Sequence, residues 1–517
     1  MYTMRNALLV AGLCALAGAP RVDAGPRAGA PHADAGALAE AAEKGDMLSV
    51  RSLANRANAN EPGAEGTPPL HWVVRMQDVD TAGALLRVGA DANLANRYGV
   101  RPLHLAIANG DAAMVKLLLD AGANPDSTDV TGENCMLMAA RTGRLDVVEA
   151  LLARGAKPDV ADPNYRQTPL MVAARLGHAD IVKLLLKQGA RVDAQTRTGR
   201  TLAFRLPSSN AGSKGEGIVR GGWPERGQRE STPGAKTPLL YAAREGHLEV
   251  VKLLLGAGAN IEKPDADGVT PLLMAVLNGR IAVARYLMEH GANVKAADWY
   301  GQTPLFAAVD LRDLDVPGPT RDNGVDRAAA LELIKDILAR KPDVNARTRE
   351  SLPERRWVVR LGSLAWVDFT GQTAFLRAAY SGDVTVMRLL LENGADPNIP
   401  TFAGTTPLMA AAGVNWTVSQ TFDEGPAALL EAVKLAYEKG NDVNAENSMG
   451  LRAIHGAANR GSDDIIRFLV EKGAATDTPD KQGRTPITWA QGVFLATHPP
   501  EAKPRTVALL KQLQGKH

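Results

Sequence analysis

The residues that could do chemistry in this chain are nine histidines, two cysteines, one glycine-rich stretch and one short acidic motif. A helical zinc site needs two histidines at i and i+4; no pair has that spacing, and no cysteine cluster takes their place. Gly215-Glu216-Gly217 and Gly221-Gly222 look like the start of a phosphate loop. Their spacing misses the dinucleotide fingerprint, and no strand-turn-helix pattern surrounds them. Asp265-Ala266-Asp267-Gly268 opens like a calcium loop but runs straight into Thr270-Pro271-Leu272, so it reads as a turn. No Gly-x-Ser-x-Gly elbow occurs, and Cys135 reads as a half-buried, inert thiol. Nucleophile and base never meet. We expect no catalytic residue, no cofactor and no metal.

Side chains suited to gripping another protein are better represented. Twelve of the 23 aromatic residues fall between apolar helical runs. Trp223 lies in one long stretch, Trp357 and Trp366 in a second, and Trp416 with Phe422 in a third. Tyr98, Tyr165, Trp299, Tyr300, Phe369 and Phe402 mark short turns, and Phe204 completes the set. Aromatic residues normally go to the core; beside arginine they are the usual interface anchors. Arg220, Arg226, Arg355, Arg356 and Arg360 are adjacent to the tryptophans. A bland reading stands beside this one, in which Trp357-Val358-Val359 and Leu364-Ala365-Trp366-Val367 pack on each other as a hairpin.

The elements that must position these residues are repeats. Thr168-Pro169-Leu170, Thr237-Pro238-Leu239, Thr270-Pro271-Leu272, Thr303-Pro304-Leu305 and Thr406-Pro407-Leu408 recur, with 33 residues separating Thr237, Thr270 and Thr303. Variants stand at Pro69-Leu70-His71, Pro102-Leu103-His104, Thr373-Ala374-Phe375 and Thr485-Pro486-Ile487. Threonine can cap a helix whose first position proline tolerates. Alanine pairs allow close approach, and Gly177, Gly246 and Gly279 end the helix cheaply. A second helix follows with Val/Ile and Leu at i, i+3, i+4, as in Val182 to Leu186, and Gly-Ala closes it. One such unit cannot bury its own apolar face, so the units must stack.

This pattern resembles the ankyrin repeat over nearly everything from Gly36 to Gln514. The resemblance implies an all-α solenoid of about twelve helix-turn-helix units. They start near residues 36, 67, 100, 134, 168, 237, 270, 303, 373, 406, 452 and 485, with a finger-like turn between neighbours. It also accounts for histidine: His71, His104 and His455 match the position whose ring bonds the inter-unit turn, and His178 and His247 follow the helix-ending glycine. Arg75, Arg141, Arg175 and Arg244 occupy equivalent helix ends, with Ala108 breaking the line and Leu277, Asp310 and Tyr380 replacing it later. Stacking puts those arginines on the concave side. They read either as solvated cations at a negative helix end or as a stripe for an acidic partner surface.

Three spacings break the period of 33: Thr168 to Thr237, Thr303 to Thr373 and Thr406 to Arg452 exceed it by 36, 37 and 13 residues. The chain therefore divides into N-terminal repeats over 36–203, a finger insertion over 204–236, and central repeats over 237–348 with an inter-helix insertion at 311–326. A second finger insertion covers 349–370, and C-terminal repeats run over 371–517 with an insertion at 414–426. Residues 1–24 read as a secretory signal and 25–35 as a linker. Arg5 precedes the uncharged run Ala7 to Ala19, and Val22-Asp23-Ala24 is the cleavage candidate. Cys14 invites a lipid anchor, but bulky Leu13 sits where such a signal wants a small residue. With Cys14 removed, Cys135 stands alone, so no disulfide framework forms within one chain.

A hydrophobic content of 45% supports a substantial core, and a net charge of +2 argues against a dedicated nucleic-acid binder. The reading is a monomeric, non-catalytic scaffold, periplasmic or secreted, with no transmembrane segment after signal removal. It would grip another protein by finger tips, insertions and concave face. Two rivals accompany it: an enzyme or small-ligand binder with a pocket between the long insertions, and an inhibitor or immunity-type partner of an exported protein.

Overall fold

The computed structural model describes residues 33–198, 234–313, 326–349, 370–414, 424–493 and 500–515. The helices of these residues form twelve successive pairs, numbered here in chain order. Pairs 1 to 4 are Ala33–Lys44 with Met47–Leu53, Pro69–Arg75 with Val79–Arg87, Pro102–Asn109 with Ala112–Asp120, and Cys135–Thr142 with Leu145–Ala153. Pairs 5 to 8 are Pro169–Leu176 with Ala179–Lys187, Pro238–Glu245 with Leu248–Gly256, Pro271–Leu277 with Ile281–Glu289, and Pro304–Arg312 with Arg327–Leu338. Pairs 9 to 12 are Ala374–Ser381 with Val384–Glu392, Pro407–Ala412 with Pro426–Glu438, Ala453–Arg460 with Asp463–Glu471, and Pro486–Gly492 with Pro504–Gln514.

Local chemistry explains why each pair forms. The hydroxyls of Thr168, Thr237, Thr270, Thr303 and Thr406 each accept the backbone N–H three residues on, capping a helix that opens with proline. Second helices use a different cap, with the carboxylates of Asp46, Asp78, Asp111, Asp326 and Asp383 taking that role. Four residues past the start of the first helix, alanine recurs without interruption from pair 3 to pair 12. It stands at Ala106, Ala139, Ala173, Ala242, Ala275, Ala308, Ala378, Ala411, Ala457 and Ala490, all fully buried. A methyl group there lets each first helix lie directly on the next, and the row is continuous from pair 1 to pair 12. Stacking yields one core from Leu38 to Leu510.

The stack does not part at the finger insertions. Pro169–Leu176 packs directly on Pro238–Glu245 although 199–233 intervenes in the chain. Second helices also pack in sequence, most weakly between Arg327–Leu338 and Val384–Glu392.

Four element boundaries differ from the sequence reading. Helix Ala33–Lys44 begins inside the expected linker. Leu311 and Arg312 belong to the first helix of pair 8, and Asp326 is the cap of its second, so the inter-helix insertion is shorter than 311–326. Val414 is fully buried, and Pro426 opens a helix. Gly234 to Lys236 belong to the base of a finger turn rather than to the insertion.

Candidate partner-binding surface

Every finger is a closed turn. In the simplest, Asp265 N–H donates to the Val269 carbonyl at 3.1 Å, and Asp265 Oδ1 accepts Val269 N–H at 3.0 Å. The two finger insertions keep this closure. Thr196 N–H donates to the Lys236 carbonyl at 3.1 Å while Thr196 Oγ1 accepts Lys236 N–H at 2.9 Å. Thr348 does the same with Gln372, at 3.0 and 2.9 Å. Each insertion is thus spliced into a turn whose base is intact, as the repeat spacing implied.

Most successive fingers are tied tip to tip by backbone hydrogen bonds, though none joins the fingers of Tyr98 and Val130 or those of Val130 and Tyr165. Arg97 N–H donates to Gly66 O, Arg197 to Tyr165, Trp299 to Asp267, Arg349 to Tyr300, Phe402 to Thr370 and Lys481 to Met449, at 2.7 to 3.2 Å. A tip in such a row has little freedom left to lose on binding, which favours affinity.

Three consecutive tips present large side chains to solvent: Tyr98 is 52%, Val130 65% and Tyr165 70% exposed. The Arg97 guanidinium lies over the Tyr98 ring and pairs with Glu65. Trp299 and Tyr300, expected as free tips, are instead half-buried and packed edge to face on each other at 5.6 Å. Phe402 is half exposed under the Arg347 guanidinium, 4.3 Å from its ring centroid. Arg347 also donates to the Gly371 carbonyl of its own finger and the Pro400 carbonyl of the next, so it straps two fingers together.

The arginine line divides. Arg75 is exposed and lies 5.7 Å from the Trp72 centroid, and Arg141 is exposed but paired with Glu133 at its own helix start. Arg175 and Arg244 are half-buried, the latter 3.8 Å from Glu245. Trp223, Trp357, Trp366, Arg355 and Arg356 lie outside the described residues.

At the equivalent position of pair 8 the charge inverts to Asp310, as read from the sequence, and is buried against Arg377, a pairing that repeat spacing gave no means of finding. Arg377 Nε donates to Asp310 Oδ1 at 2.7 Å and its Nη2 to the Asp313 carbonyl at 2.9 Å. Arg312 Nε donates to Asp383 Oδ2 at 2.7 Å, and Arg327 pairs with Glu424. The fully buried Asp313 carboxyl has Arg327 as its ion partner only at 4.0 Å, and desolvation pushes its pKa well up. Arg312, Arg327 and Arg377 thus face Asp310, Asp383 and Glu424, while burial favours the uncharged form of Asp313. This cluster fixes pair 8 on pair 9 where their second helices pack least.

The histidines do as the resemblance implied. Nε2 of His71 meets the Val100 carbonyl at 2.9 Å, that of His104 meets Ser127 Oγ at 3.1 Å and that of His455 meets the Thr478 carbonyl at 3.1 Å. Burial pushes His104 and His455 down to about 4, so their rings are neutral. Cys135 is fully rather than half buried, against Ser127 Oγ at 3.3 Å, and burial raises its thiol to about 11. Among the described residues no group of three His, Cys, Asp or Glu could hold a metal ion, and no helix is long and apolar enough to cross a membrane.

Helix pairs stacked through alanine, with closed fingers between them, define an ankyrin-type solenoid. Residues 38–129, 109–196, 239–316 and 427–492 match the family described as ankyrin repeats in three copies, and 370–402 matches the single ankyrin repeat. The chain belongs to the ankyrin-repeat family, whose repeats are generally protein–protein interaction modules. It is similar to Ankyrin repeat and SOCS box protein 3 of Bos taurus, 32% identical over 120 residues, 23% of this chain and 20% of that protein. It is similar to Ankyrin repeat domain-containing protein 63 of Homo sapiens, 31% identical over 122 residues, 23% of this chain and 30% of that one. To Alpha-latrocrustotoxin-Lt1a of Latrodectus tredecimguttatus it is 28% identical over 124 residues, covering 24% of this chain and 8% of the toxin. The chain thus spans less than a third of the length of these curated relatives.

Proposed function

We propose that this protein is a non-catalytic scaffold that binds another protein outside the cytoplasm through its finger row. The carrying observation is the exposure of Tyr98, Val130 and Tyr165 on the tips of three successive closed fingers. Large apolar side chains elsewhere are mostly buried in the stack, so these three are surplus to folding. The leader-like composition of residues 1–24 supports the location. Mass spectrometry of protein exported by its native host should find a mature chain beginning at Gly25. Recovery of the chain from the cytoplasm alone, with Met1 intact, would remove the location from the proposal.

The binding claim is tested by photo-crosslinking in the native host. A benzophenone amino acid replaces Tyr98 or Tyr165, and Glu249, exposed on a second helix, serves as control. Both finger positions should capture the same protein and Glu249 should not. Equal capture from Glu249 would sink the finger assignment. The rival enzyme reading needs a pocket between 204–236 and 349–369, most of which lies outside the described residues. A cleft of about 730 Å³ lies elsewhere, between pairs 11 and 12, lined in part by Arg460, Ser462, Asp463, Lys503 and Thr506.

A further inference from the structure

The residue that precedes the closing position of a finger takes a left-handed backbone. It is glycine at Gly99 (φ 72°), Gly132 (81°), Gly268 (80°) and Gly301 (79°). Two fingers lack glycine there: Arg166 occupies the place before pair 5, at φ 56°, and Ala235 the place before pair 6, at φ 53°. A side chain there clashes with its own backbone, so glycine would serve the turn better. The turn itself gains nothing from arginine. Asp162 accepts the N–H groups of Asn164, Tyr165 and Gln167 at 2.6 to 3.0 Å, and Arg166 contributes only a backbone bond to Asp162 O at 3.0 Å. Its exposed guanidinium makes no hydrogen bond or ion pair. The strained residue therefore carries a charged side chain that the fold does not use.

What surrounds it gives the charge a sign and a companion. Tyr165, the most exposed of the three tip residues, is adjacent, and its carbonyl is held by the N–H of Arg197 at 2.7 Å. Arg197 is exposed too. The carboxylate of the same turn, Asp162, is spent on the N–H groups of Asn164, Tyr165 and Gln167. Tyrosine face and arginine fork side by side match an apolar side chain next to a carboxylate.

We infer that Tyr165 and Arg166 form the anchor of this surface and that the partner segment it takes is acidic. The inference rests on the scaffold reading and names the chemistry of its partner. The full chain is screened against an array of random dodecapeptides in low salt, beside Arg166→Gly and Tyr165→Ala. Peptides selected by the wild type should be enriched in Asp and Glu, and the best should bind about tenfold more weakly to either variant and more weakly in high salt. Arg166→Gly should melt at the same temperature or higher, because it relieves the left-handed strain. A side chain needed for folding would lower it. Absence of acidic enrichment, affinity within twofold for Arg166→Gly, or equal binding of a 20-nucleotide single-stranded DNA each overturns the inference. None of these outcomes touches the cross-links from Tyr98, which test the scaffold reading separately.

Discussion

The imidazole of His247 lies on Gly177, with Nε2 3.1 Å from the Arg175 carbonyl oxygen that ends the same helix. A Cβ on Gly177 would stand 2.7 Å from that ring, and the glycine holds φ 79°. His178 meets Gly143 in the same way one unit earlier. At these two junctions the residue after one helix-ending glycine thus seats on the equivalent glycine of the previous unit, and the junction is locked by a ring and a missing side chain.

Gly177→Ala should therefore cost roughly 1–3 kcal/mol, from left-handed strain and displacement of the His247 ring together. Chemical denaturation measures it. Loss below about 0.5 kcal/mol would show that the ring moves aside freely.

Asp298 predicts an unusual pH dependence. Its carboxyl is buried, Oδ1 accepts Gln302 N–H at 2.8 Å, and Oδ2 has no partner. Burial raises its pKa to about 7. The folded state then holds a proton that the unfolded chain, at about 4, has released. Stability falls as pH rises from 4 to 7 and is flat above, a penalty of up to roughly 4 kcal/mol. His104 and His455 act oppositely: depressed to about 4, they take stability away as pH falls from 6.5. Asp298→Asn should stabilise at pH 8 and leave the histidine slope exposed, since Asn96 and Asn447 already close fingers with the same bonds. Unchanged melting at pH 8 would refute the penalty.

The pairs of helices were legible because their signals are local and repeat. Thr-Pro openings, alanine pairs and closing glycines are each one or two residues wide. Asp111 and Asp383 were missed as caps of second helices because aspartate is common and its capping bond spans only three residues. Asp310 visibly breaks the arginine line, but its pairing with Arg377 was illegible for the opposite reason: the two stand 67 positions apart, and only stacking across an insertion brings them to 2.7 Å. Trp299 and Tyr300 were placed correctly on a finger, yet their half-burial depends on neighbouring units that no single repeat describes.

Charge balance in the Asp313 cluster makes two substitutions diverge. Arg377→Leu strands Asp310 in a buried position and should cost about 3–5 kcal/mol. Asp313→Asn replaces a neutral carboxyl with a neutral amide and should stay within about 1 kcal/mol at pH 7. Urea unfolding of both variants decides it, and equal losses would mean that Asp313 carries charge.

The insertion at 199–233 should be removable. Gly234 lies so close to Thr198 that a Cβ on the glycine would be 2.8 Å from Thr198 Cα, and the Thr196–Lys236 closure lies immediately inside them. Joining Thr198 to Gly234 through one added glycine shortens the loop from Thr196 to Lys236 from 40 residues to about the length of an ordinary finger. Three halvings of loop length recover about 2 kcal/mol of closure entropy, so the excised chain should melt at or above the parent temperature with unchanged helical circular dichroism. Direct packing of Pro169–Leu176 on Pro238–Glu245 is the reason, because that contact owes nothing to the excised residues. A lower melting temperature or lost helicity would mean that the insertion folds back into the stack, and the finger would then be part of the core rather than a splice in it.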